Sequence, residues 1–212
     1  MRKKHQKAVV YAIVGALIVS LIVTMIPFMG GFVGSSNNNT YEGYIKSLEE
    51  TLAQNPEDKD TRLSLANLYY DWGMQTYFDG SVEEANKHFE KAINNYEEVL
   101  KAGQDINVLV DMATAAFYSG KNELAEEKFQ EALAIQPDFL NGLYNYGVFL
   151  MYAKEDFGGA IAQWEKALEI EGLSEEVKAN LQQNIQVAQQ MILANSEETG
   201  NLQGSDSSRD EE

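Results

Sequence analysis

No cysteine occurs among the 212 residues. That excludes disulfides, thiolate metal sites, covalent haem attachment and a lipoprotein anchor. Histidine is nearly as scarce, with two residues. His5 lies in a basic stretch near the amino terminus, and His88 directly precedes Phe89; neither has an evident catalytic partner. The chain has no G-x-G-x-x-G, no Walker loop and no H-E-x-x-H. Acidic pairs such as Glu126-Glu127 and Glu175-Glu176 diverge in direction on a helix, which suits solvation better than paired acid–base work. These absences point away from an enzyme and imply no catalytic residue, metal or cofactor. Positive charge is also short, with 16 Lys and Arg against 33 Asp and Glu. Four of the basic residues, Arg2, Lys3, Lys4 and Lys7, fall in residues 1–7, so residues 8–212 hold 12 basic against 33 acidic residues, a net −21. Such a domain repels nucleic acid and anionic headgroups, and favours basic partners.

Long apolar runs are confined to one place. Ala8 to Met29 is uncharged for 22 residues. As a helix it would rise roughly 33 Å, enough to cross a hydrocarbon core of about 30 Å. It exceeds the ~7–15 residue apolar region of a cleaved signal peptide. The expectation is a retained transmembrane signal anchor over 8–29, giving a single-pass membrane protein. Basic residues precede the span and acidic ones follow it, so 1–7 is expected to be a cytoplasmic tail, with all that follows outside the cytoplasm. Residues 30–40, "GGFVGSSNNNT", read as a flexible linker spreading over roughly 20 Å. At the other end, 196–212 is polar and acidic and reads as a disordered tail.

Between these segments the chain repeats itself. "EEANKHFEKAI" (Glu83 to Ile93), "ELAEEKFQEAL" (Glu123 to Leu133) and "GGAIAQWEKAL" (Gly158 to Leu168) align without gaps. Ala85, Ala125 and Ala160 correspond, as do Phe89, Phe129 and Trp164, and Ala92, Ala132 and Ala167. Intervals of four and three residues place each trio on one helical face, and Pro137 stops the second helix. The pattern predicts helices over Tyr41–Gln54, Asp60–Phe78, Val82–Lys101, Ile106–Ser119, Glu123–Ile135, Phe139–Ala153, Phe157–Glu169 and Ser174–Asn195. The last, with Ser174 as N-cap and an apolar stripe of Val177, Leu181, Ile185, Ala188 and Ile192, suits a capping helix over 174–195.

These residues resemble the tetratricopeptide repeat, a helix–turn–helix unit of about 34 residues. The second repeat, 106–139, carries the pattern through Leu109, Met112, Ala113, Ala116, Ala125, Phe129, Ala132 and Pro137. The third, about 140–174, offers Leu143, Tyr146, Gly147, Leu150, Ala160, Trp164 and Ala167, with one extra residue in its turn. The first, about 66–99, supplies Tyr69, Trp72, Gly73, Ala85, Phe89 and Ala92 but lacks the terminal proline. A second register, counted from Pro56 and seven residues away, would use Leu65, Ala66 and Tyr69 instead, so both helices of this repeat are expected to be about two turns longer than usual. Residues 41–59 form a half repeat. The resemblance implies an all-α helical-hairpin solenoid over 41–195, of about three repeats between an N-terminal helix and a C-terminal capping helix.

It also implies a concave partner groove lined by the first helix of each repeat. Carried onto this chain, the groove positions are Asn67, Tyr70, Met74 and Tyr77, then Asn107, Val110, Thr114 and Phe117, then Asn141, Tyr144, Val148 and Tyr152. Asn67, Asn107 and Asn141 share one motif position, where an amide ladder could hold an extended backbone. Helix capping is the competing explanation for Asn107 and Asn141. No Lys or Arg falls in this set, and aromatic residues edged by Asp71 and Asp111 suit a segment with apolar anchors and positive charge. Half of the tyrosines pack between helices on the plainer reading. The resemblance therefore implies a membrane-anchored module or scaffold that binds a protein or peptide partner. One alternative is a translocon-associated, chaperone-like protein serving secreted or envelope proteins. Its short tail, single span and external repeats are similar to the ancillary subunit of the bacterial secretion translocon. Another is an assembly scaffold for an envelope complex, and a third an organellar receptor for basic targeting peptides.

Overall fold

The computed structural model describes residues 38–204, with side chains from 40 to 196. The expected tail 1–7, the anchor 8–29, linker residues 30–37 and residues 205–212 lie outside the described residues. Among the described residues no helix is long and apolar enough to cross a membrane.

Eight α-helices and no strand make up the described chain: α1 Asn38–Gln54, α2 Lys59–Phe78, α3 Val82–Lys101, α4 Ile106–Tyr118, α5 Asn122–Ile135, α6 Leu140–Ala153, α7 Phe157–Leu168 and α8 Glu175–Gly204. Acidic and hydroxyl side chains start them. The Asp58 carboxylate accepts from the Thr61 amide at 3.1 Å, Asp105 from Asn107 at 2.9 Å, and Asp156 from Gly159 at 2.8 Å. Each satisfies an amide that has no partner within the helix. Ser174 caps α8 as expected, accepting from the Val177 amide at 3.3 Å. Pro56 and Pro137 follow the ends of α1 and α5, where a missing amide hydrogen does no damage.

Two boundaries differ from the sequence expectation by more than one residue. Helix α1 begins at Asn38, so the last three linker residues are helical. Tyr41 stacks on Trp72 of α2 with centroids 5.6 Å apart and planes at 3°, which draws the first turn into the fold. Helix α8 continues past Asn195 to Gly204, so the expected disordered tail is helical over its first residues. Ser196 is a tolerable helix residue rather than a stop signal, and no proline follows it.

Consecutive helices pack as antiparallel neighbours, α2 on α3, α4 on α5 and α6 on α7, with α1 against α2, α8 against α7 and α4 directly on α6. The nine aligned positions form the shared core. Ala85, Ala92, Ala125, Ala132, Ala160, Ala167, Phe89, Phe129 and Trp164 are all 0% exposed. Fully burying one such ring contributes roughly 1.5–3 kcal/mol. Small residues on the first helix of each hairpin make room for it. A methyl group on Gly73 would sit 2.7 Å from the Phe89 ring, and one on Gly147 would fall within the Trp164 indole. Trp164 is the largest of the three rings, and its indole Nε1–H donates to the Tyr144 carbonyl at 3.1 Å, so its polar atom is satisfied inside the core.

The hairpin turns also follow one plan with one departure. Gly80 and Gly120 take the left-handed conformation, at φ 85° and 76°, and the amide after each bonds a carbonyl five residues back. In the third turn Glu155 holds that place at φ 52°, and the Asp156 amide reaches Leu150, six residues back. The extra residue expected there is thus taken up by a wider closure.

Candidate partner groove

The first helices α2, α4 and α6 carry the twelve expected groove residues, and the structure divides them. Tyr70, Met74, Tyr77, Thr114, Phe117 and Tyr152 are half-buried, and Asn107 and Asn141 are exposed. Val110, Tyr144 and Val148 are buried, at 3%, 7% and 6% exposure. Those three pack between neighbouring helices, as the plainer reading had it for some of the tyrosines. Capping helix α8 closes over part of the third repeat: Asn184, itself 3% exposed, faces the Tyr144 hydroxyl without the geometry of a hydrogen bond.

The three asparagines do not form a set of equivalent free amides. Asn67 is half-buried, and its Oδ1 accepts from the Tyr96 hydroxyl of α3 at 2.8 Å. Asn107 stands in the first turn of α4, its Nδ2 3.4 Å from the Asp105 cap. The Asn141 carbonyl accepts from Asn145 Nδ2 at 2.9 Å. Thr114 is similarly occupied, donating to the Val110 carbonyl at 2.8 Å.

The aromatic residues form a connected surface. Tyr118, absent from the sequence-derived set, is its hub. Its ring meets Tyr77 of α2 edge-on at 5.3 Å, Phe117 at 5.1 Å and Phe89 of α3 at 5.9 Å. Phe117 in turn meets Phe149 of α6 at 5.8 Å and 90°. The 34-residue step that relates Val110 to Tyr144 relates Tyr118 to Tyr152, and Phe117 to the buried Met151. Keeping that step through the last turn of the helix would have found Tyr118 from the sequence.

Two carboxylates edge this surface. Asp71 and Asp111 are separated by the 40 residues that separate Ala85 and Ala125, so they share a motif position; Asn145 holds it in the third repeat. Burial pushes the Asp111 carboxyl up to about 7, with the charges of Asp105 and Asp71 adding to the effect. Burial alone takes Asp71 up to about 6. By accessible area Asp71 is exposed and Asp111 half-buried. The phenols of Tyr70 and Tyr96 are raised well above their ordinary range, first by burial and then by neighbours that include both carboxylates. Burial likewise pushes Tyr118 up to about 12. Among the described residues neither carboxylate has an ion-pair partner, in contrast to the outer face, where Lys154 meets Glu126 and Lys121 meets Glu90 between helices.

His88 belongs to a separate, structural cluster. Its ring stacks on Trp72 at 3.9 Å, and Trp72 stacks on Tyr41, joining α1 to the α2–α3 hairpin. Burial lowers its pKa despite Glu84 at 4.0 Å, so the ring is neutral at pH 7. Among the described residues no group of three His, Asp or Glu could hold a metal ion.

Stacked helical hairpins with a small residue facing an aromatic ring define a class, the α-helical repeat solenoids that present a surface to protein partners. Two tetratricopeptide repeat profiles match, over residues 64–138 and 110–173. The chain belongs to the tetratricopeptide repeat family. It is 30% identical over 100 residues to the photosystem I assembly protein Ycf3 of Acaryochloris marina (strain MBIC 11017), a match covering 45% of this chain and 56% of that protein. The chain thus spans little more than half the length of that curated relative. Among solved structures, MamA superposes with a TM-score of 0.57 at 17% identity, covering 78% of this chain and 80% of that one. A thermophilic tetratricopeptide repeat protein of Thermus thermophilus gives 0.57 at 17% identity over 70% and 72%. At these identities the two structures bear on the fold alone.

Proposed function

We propose that this chain is a scaffold that holds a protein segment against the groove of α2, α4 and α6, and that it is anchored by residues 8–29 with its repeats outside the cytoplasm. The observation that carries the groove is the partly exposed aromatic surface of Tyr70, Tyr77, Phe117, Tyr118 and Tyr152. Those rings remain accessible after the repeat core is complete, and aromatic anchors dominate many protein interfaces. The anchor and its orientation rest on the uncharged run over 8–29 and the four basic residues before it. Similarity to a photosystem I assembly protein favours an assembly scaffold over a general chaperone or a receptor for targeting peptides.

Photocrosslinking in cells from position 117, with exposed Glu127 of α5 as control, tests this reading. One dominant product from position 117 identifies the scaffold's partner. A spread of secreted chains with translocon components would favour the chaperone, and equal labelling from Glu127 would remove the groove. Protease access to the repeats in intact and permeabilised cells tests the topology.

A further inference from the structure

Charge is missing from one exposed helix face. Residues 179–196 of α8 carry no Asp, Glu, Lys or Arg, in a chain where 23% of residues are charged. Among the described residues this is the longest such run. The next, 139–153, takes in α6, where nine residues are buried and burial accounts for the lack of charge. Burial cannot account for it in α8, where only Leu181, Asn184 and Ala188 of the run are buried, on the side that packs against the array. Helix propensity does not account for it either, since Glu and Lys form helices as well as Gln does. Ala179, Gln182, Gln186, Gln189 and Leu193 are all exposed, Leu193 at 63%. Their three-and-four spacing draws them into one stripe about 21 Å long.

A charge-free stripe on an acidic protein suits a partner that is acidic too. A basic segment would be held better by carboxylates elsewhere on the chain, whereas a second copy, itself at −17, is repelled wherever such carboxylates face each other. Glutamine amides are also self-complementary, each offering donors and an acceptor to its like. The ends of the run set the direction. Lys178 bounds it on one side and Glu197 on the other. Two runs laid antiparallel bring opposite charges together at both ends, and parallel runs would set like against like.

We propose that the exposed stripe of α8 is the interface of a two-fold homodimer, in which the 179–196 run of one copy lies antiparallel on that of the other. With the runs in register, Gln186 of one copy meets Gln189 of the other, and Gln182 meets Leu193, on both sides of the axis. This pairing stands independently of the groove reading, and a scaffold built this way presents two grooves at once.

The test uses the full chain in detergent, whose lack of cysteine lets single introduced thiols report contacts between copies. Sedimentation velocity is expected to show a monomer–dimer equilibrium. Gln186→Cys should crosslink to its copy through a short bismaleimide, Gln182→Cys alone should not, and Gln182→Cys mixed with Leu193→Cys should. Glu127→Cys on α5 is the control. Gln186→Glu combined with Gln189→Glu sets like charges together at the axis and should weaken dimerisation roughly tenfold or more. Lys at the same two positions should do the same, and mixing the Glu and Lys variants should restore pairing. These positions are exposed, so melting of the dilute monomer should not change. A chain that stays monomeric at high micromolar concentration would overturn the proposal, and so would a dimer indifferent to the Glu pair. Equal self-crosslinking from positions 182 and 186 would overturn the antiparallel register. In cells, a photocrosslinker at position 186 that captures a different protein and no second copy would assign the stripe to another partner and overturn the dimer.

Discussion

Hairpin α2–α3 runs 20 residues in each helix, where α4–α5 has 13 and 14 and α6–α7 has 14 and 12. The turns Asp79–Ser81 and Ser119–Lys121 align, so the extra length lies at the opposite end, at the start of α2 and the end of α3. It is not idle helix. Leu65, Tyr96 and Val99 on it are 4%, 1% and 1% exposed, Tyr96 bonds Asn67, and the Tyr69 hydroxyl donates to Glu49 of α1 at 3.0 Å. The long hairpin therefore adds contacts of its own to the shared core. The short third hairpin relies instead on one large ring, Trp164, and the glycine that admits it. Equivalent positions in the three hairpins should respond differently to the same change, which makes the comparison testable.

The largest expected effect is at Trp164. Trp164→Ala should cost about 3–5 kcal/mol in chemical denaturation, and Phe89→Ala a similar amount. Removing Trp164 also removes the indole donor to the Tyr144 carbonyl, so the third hairpin should melt before the first. Next is Gly147→Ala, which forces a methyl into the indole and should cost roughly 1–3 kcal/mol despite the better helix propensity of Ala. Equal stability of this variant and wild type would mean that the ring can shift, and that the close approach does not fix the third hairpin. Smaller again is Tyr96→Phe, expected to cost about 0.5–1.5 kcal/mol through the lost bond to Asn67. It should weaken the first hairpin alone, as read by amide exchange.

pH separates the groove from the core. The folded Asp111 carboxyl stands near 7 against an ordinary value of 3.8. Between those values the folded chain keeps a proton that the unfolded chain has released, so this contribution to stability is present at low pH and is lost as pH rises towards 7. Melting temperature should fall from pH 5 to pH 8, and fall less in Asp111→Asn. The smallest effect expected is at the third turn, where Glu155→Gly should stabilise by about 1 kcal/mol or less by relieving the left-handed backbone.

The core was legible because its cause is local. A four-and-three spacing of Ala, aromatic and Ala puts those residues on one face wherever the helix packs, and the unequal length of the first hairpin showed as two competing registers. The groove was legible only in part. Asn67 is held by Tyr96, 29 residues away on the neighbouring helix, a pairing that no periodicity reveals. Tyr144 and Val148 look like surface residues of α6 until the packing of α6 and α8 is known. Asp71 and Asp111 could be named from the sequence, but not their lack of a counter-ion, which depends on where every lysine of the fold points.

The long first hairpin also bears on how many copies of this chain can join. A row of identical hairpins ends in two complementary faces, and nothing in such a row forbids one chain from continuing another into a filament. Here α1 packs on α2 of the leading hairpin and α8 on α7 of the last, so each end of the array is covered by a helix of its own. A repeated unit is thus given two ends that differ from its middle, which is what sets the number of repeats in the array.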